Sequence, residues 1–103
     1  MLIIPKNLQK SIDHVNGLLK QTSKEKIEII KKNAKIDDCM EYVQYQNIQS
    51  RAFAIGLIDK NTALWIYNML KGFNKRALSH RVVCLELIML LAKRLKEKTN
   101  PLI

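Results

Sequence analysis

The stretch that most constrains this chain is Arg51 to Leu70, RAFAIGLIDKNTALWIYNML, where a helical pattern breaks at one glycine and resumes behind one acid. Ala52 stands four residues before Gly56, and Leu57, Ile58 and Asp59 follow. A small residue at that distance lets two helices approach, and glycine takes the left-handed conformation that a tight turn needs. The spacing is that of a helix-turn-helix elbow, with Ile55, Leu57 and Trp65 at its apolar positions. Arg51 and Thr62, however, stand where such an elbow usually carries apolar residues. The second helix is also apolar nearly all round, the pattern of a core helix. Two core helices joined by a tight turn is the plainer expectation.

Helical spacing extends through the rest of the chain, and no alternating apolar run of strand length interrupts it. The sequence therefore predicts one all-α domain over residues 1–103, a compact bundle of about five helices with a short flexible tail at 99–103. Leu8, Ile12, Val15 and Leu19, at spacings of four, three and four, give a first helix from Pro5 to about Lys20. TSKE is a capping box that opens a second helix at Thr22, with Glu25 as its reciprocal partner, and that helix ends near Asn33. Ile27, Ile30 and Ala34 share one face, and Lys24, Lys31, Lys32 and Lys35 lie largely on the other. Asp38 and Glu41 cap a third helix that runs to about Ile55, with Met40, Val43, Ile48, Ala52 and Ile55 inward. Asp59 caps a fourth, which Gly72 stops. Asn74 or Ser79 caps the fifth, about Ser79 to Lys98. Its apolar arc is wide enough for the central helix of the bundle, or for a helix that closes a homodimer.

A chain of 103 residues with 48 % hydrophobic content, three glycines and two prolines is ordered rather than disordered. It is long enough to bury roughly 60–65 % of its unfolded surface in one core. Cys39 and Cys84 lie far apart and have no companion cysteine–histidine cluster, so neither a zinc site nor a disulfide framework is expected, and both read as reduced thiols. The opening MLIIPK has four apolar residues, short of a signal-peptide core of about 7–15, and the longest unbroken apolar run is Leu87 to Ala92. A cytoplasmic protein without a transmembrane segment is the expectation.

Charge narrows the function. The formal net charge is +9, which draws a protein toward phosphate backbones and anionic surfaces. Fourteen of the eighteen basic residues are lysines, a usage that an AT-rich genome would also favour. From Lys60 through Leu85 there is no acid. That interval holds Lys60, Asn61, Lys71, Lys75, Arg76, His80 and Arg81, the candidate nucleic-acid-binding residues, with Phe73 as a nearby aromatic. Lys71, Lys75, Arg76 and Arg81 would neutralise phosphates while Lys60 and Asn61 approach base edges. No nucleophile, base and orienting group meet at a readable spacing, so no enzyme, cofactor or small-molecule substrate is expected. The expectation is a small duplex-DNA binder, a regulator or mobile-element accessory factor acting as a dimer. The alternative is a helical interaction module, an inhibitor, immunity or chaperone-like subunit, that meets an acidic partner or a membrane surface through its last helix.

Overall fold

The computed structural model describes residues 3–36 and 39–99. Among these described residues five α-helices follow one another: α1 (Lys6–Gln21), α2 (Lys24–Asn33), α3 (Cys39–Ala54), α4 (Lys60–Leu70) and α5 (Leu78–Thr99). A single 3-10 turn, Phe73–Lys75, stands between α4 and α5. Among the described residues there is no strand. The architecture is the all-α bundle of about five helices that the spacing predicts.

The longest helix, α5, is the axis of the bundle. It packs along α1 on one side and α3 on another and touches α4, while α3 and α4 pack on each other. Leu8, Ile12 and Val15 of α1 meet Val83, Cys84, Ile88 and Leu91 of α5 in one core that also takes Ala52, Trp65, Ile66, Met69 and Leu70. The apolar stripe of α1 is thus read correctly from spacing. The wide apolar arc of α5 follows from three neighbours, although Met89 and Leu90 remain exposed. By contrast α2 buries none of its residues, and Ile27 and Ile30 are only half-buried. The molecule is elongated, 45 × 26 × 25 Å.

Several expectations are corrected. Ser23, not Thr22, caps α2, its Oγ accepting from the Lys26 amide at 3.4 Å. Because α1 continues to Gln21, the Thr22 hydroxyl turns back and donates to the Leu18 carbonyl. Met40, Val43 and Ile55 do not face inward: they are 69 %, 60 % and 47 % exposed. Ile48 and Ala52 do face inward as expected, and Tyr42, Tyr45 and Gln49 complete that face of α3. That face is set by packing on α4 and α5, because α3 carries apolar residues on both sides and its own pattern does not choose between them. Asn74 does not cap α5, for its amide is bonded elsewhere, and Ser79 lies inside the first turn rather than before it. Thr99 belongs to α5 rather than to a tail. Asp37, Asp38 and residues 100–103 lie outside the described residues.

Two glycines act as expected. Gly56, at φ +79°, ends α3: its amide donates to the Phe53 carbonyl at 3.1 Å and the Leu57 amide to the Ala52 carbonyl at 2.9 Å. This is the paired bonding of a Schellman ending, in which a left-handed residue satisfies carbonyls left over at a helix end. Gly72, at φ +64°, ends α4 in the same region of backbone space. Asp59 caps α4, its carboxylate accepting from the Thr62 amide at 2.8 Å. Thr62, through its side chain first and its backbone amide second, holds the Asp59 carboxyl below its ordinary value.

Candidate nucleic-acid interface

The α3–α4 elbow sets which side of α4 meets water. Thr62, Ala63, Trp65, Ile66, Met69 and Leu70 are buried, and Thr62 lies on the core side of the helix, as an apolar residue there would. The opposite side is exposed along its length: Lys60, Asn61, Leu64, Tyr67, Asn68, and Lys71 just past the end. These positions recur at the 3.6-residue period and form one stripe. α4 is therefore not a helix buried all round. It presents one face that mixes lysines, asparagines and two large apolar side chains. Lys71 Nζ sits 4.4 Å from the centroid of the Tyr67 ring, a cation–π contact that holds the ammonium at the surface.

The connector after α4 is built rather than loose. Phe73 is buried in the core. Asn74 Oδ1 accepts from the Ile36 amide at 3.1 Å, and Asn74 Nδ2 donates to the Ile36 carbonyl at 2.9 Å. One asparagine thus pairs with both polar groups of a single backbone residue and ties the α2–α3 connector to the α4–α5 connector. Arg76 Nη2 donates to the carbonyls of Asn68 at 2.7 Å and Lys71 at 3.0 Å. A guanidinium at that place satisfies orphan carbonyls and offsets the negative end of the α4 dipole.

The sequence-predicted residues therefore separate into two groups. Lys60, Asn61 and Lys71 share the exposed face of α4, and Lys75 is exposed in the connector behind it. Arg76, His80 and Arg81 are half-buried. The Nε atoms of both arginines and Nε2 of His80 are buried without a hydrogen-bond partner. His80 lies with its ring centroid 6.4 Å from that of Trp65, at an interplanar angle of 59°. Burial, and then the nearby Arg76 guanidinium, hold the His80 imidazole below its ordinary value, so near neutral pH it brings no charge to a phosphate. Lys60, Asn61, Asn68 and Lys71 are the residues of this helix that the sequence itself turns outward, whereas Leu64 and Tyr67, which read there as core, complete the exposed stripe. Their helical spacing from Lys60 and Lys71 was the signal that could have found them.

Beside the same face lies an open cleft of about 790 Å³ between the start of α1 and α4, walled by Ile3, Pro5 and Lys6 on one side and Asn61, Leu64 and Asn68 on the other. Among the described residues, no three histidine, cysteine, aspartate or glutamate side chains are grouped so as to hold a metal ion. Among them, too, no helix is long and apolar enough to cross a membrane. Cys84 is buried as a free thiol, and burial pushes its thiol up to about 12. Compared with protein-family models, curated proteins and solved structures, the chain matches none.

Proposed function

We propose that this protein binds nucleic acid, duplex DNA in the first place, through the exposed face of α4 in a helix-turn-helix-like arrangement. The observation that carries the reading is the stripe Lys60, Asn61, Leu64, Tyr67, Asn68 and Lys71 on the helix that follows the Gly56 elbow. Asparagine amides can pair with base edges, lysines can neutralise phosphates, and an apolar side chain can contact a thymine methyl group. Lys75 extends the basic surface beyond the helix end. Arg76 supports the face by fixing its last turn, and need not touch phosphate itself. A regulator or mobile-element accessory factor, working as a dimer in the cytoplasm, is the kind of protein this reading describes.

The test is fluorescence anisotropy of a labelled duplex titrated with the protein over a range of salt. Three or four neutralised phosphates give a slope of log affinity against log salt of roughly −3. Absence of binding even at low salt would contradict the reading. The alternative, a helical interaction module with an acidic partner, rests on the exposed apolar side chains Met89 and Leu90 of α5 and Met40 and Val43 of α3. It would gain from a protein that ignores duplexes at all salt concentrations.

A further inference from the structure

The cleft between α1 and α4 is walled by residues that the α4 face alone does not use. Trp65 forms part of its wall at 1 % exposure, and the indole Nε1–H is buried without an acceptor. A buried N–H normally has a partner, because leaving it unpaired costs the desolvation of the group. At the other wall α1 begins with Pro5 as its N-cap, with no side-chain cap and no acid in the first turn. The Leu8 amide reaches the Pro5 carbonyl at 2.9 Å, while Lys6 and Asn7 open the helix beside the cleft. An uncapped helix start of this kind, with a lysine on it, is favourable to an anion. Asp59 also lines the cleft, but its carboxylate is committed to the Thr62 amide, which leaves the α4 start unfavourable to an anion and the α1 start favourable.

The α4 wall presents Leu64, an apolar platform, and the amides of Asn61 and Asn68, each able to donate and accept. The volume of about 790 Å³ lies inside the roughly 300–1,000 Å³ usual for small-ligand sites. We propose that this cleft binds one unpaired nucleotide of the nucleic acid, with its phosphate at the α1 start and Lys6 and its base against Leu64, paired by Asn61 and Asn68. Asparagine amides match the donor–acceptor edges of a base, and a base released from its stack exposes those edges together with an apolar face. The inference rests on the nucleic-acid reading and deepens it, from a duplex contact to a preference for sites with an unstacked or single-stranded nucleotide.

Trp65 is the sole tryptophan and reports on its own cleft. Titration of its emission with 5′-AMP, adenosine and inorganic phosphate, each on wild-type protein, on Asn61→Ala/Asn68→Ala and on Lys6→Glu, tests the proposal. Far-ultraviolet circular dichroism confirms that the variants are folded. The expected result is a saturable change with 5′-AMP, weakened about tenfold or more in each variant and weaker for adenosine and for phosphate alone. A response to adenosine equal to that for 5′-AMP would overturn the placing of the phosphate at α1. No change in Trp65 emission with 5′-AMP up to millimolar concentration, together with equal affinity for a paired duplex and for one with an unpaired base, would overturn the proposal. Because duplex affinity is measured separately by anisotropy, duplex binding with neither a nucleotide response nor a preference for the unpaired base removes the cleft and leaves the α4 reading in place. Failure of both removes both.

Discussion

Arg76 stands in the acid-free interval of the chain, yet its Nη2 spans two carbonyls at the end of α4. Charge-assisted hydrogen bonds of this kind contribute about 1.5–3 kcal/mol when desolvated, and less where water competes. Arg76→Ala is expected to lower stability by about 1–2 kcal/mol in urea titration, with a smaller change in duplex affinity than Lys71→Ala produces. His80 provides a second residue-scale outcome. Its folded-state value is held below the ordinary 6.5 by burial and by Arg76. The unfolded chain then takes up the proton first, so stability is full above the unfolded value and is lost as pH falls through it toward the folded value. The urea midpoint should fall as pH drops below about 6.5, and His80→Gln should flatten that fall. Cys84, with its thiol pushed up to about 12, should resist thiol-specific reagents in the native state of a Cys39→Ser variant and react only on unfolding. Charge and residue type made all three visible in sequence. The reduced, packed thiol of Cys84 was legible as well, but the roles of Arg76 and His80 were not, because a guanidinium on carbonyls and a neutral imidazole depend on which backbone lies alongside.

At the scale of elements, helix number and helix ends were legible where local chemistry decides them. Gly56, Asp59 and Gly72 each act within a few residues, and each falls where its turn or cap requires. A methyl group on Gly56 would meet only open space, but φ +79° is a backbone conformation that side chains avoid. Gly56→Ala should therefore cost about 1–2 kcal/mol through strain alone, read as a shift in urea midpoint at unchanged m-value. Less legible were the cap of α2 and the inward face of α3. Thr22 and Ser23 are both capable caps, and the length of α1 assigns the role to Ser23 by drawing Thr22 into its own last turn. In α3, Tyr42 and Tyr45 point to the core while Met40 and Val43 do not, since the position of α4 and α5 decides the face. The Asn74 clamp joins residues 38 apart in sequence, beyond any local pattern. Asn74→Ala should cost about 1–2 kcal/mol by leaving the Ile36 amide and carbonyl unpaired.

Across the whole molecule, stability and charge are unevenly placed. α5 is held by neighbours on several sides, whereas α2 buries no residue fully and is too short to be helical by itself. Cooperative protection should follow that order, with amide exchange in α2 faster than in α5. The net charge of +9 spreads over α2, the α4 face, the connector and the end of α5, so general attraction to a polyanion does not identify an interface. Composition alone could not separate a binding face from a solvated one, and the α4 stripe is the feature that makes the distinction testable. The most direct measurement is duplex anisotropy for two variants with the same charge change: Lys60→Glu/Lys71→Glu on the α4 face and Lys24→Glu/Lys31→Glu on α2. An α4 interface requires at least a roughly tenfold greater loss of affinity in the first variant than in the second. Equal losses would contradict it and reduce the binding to net charge.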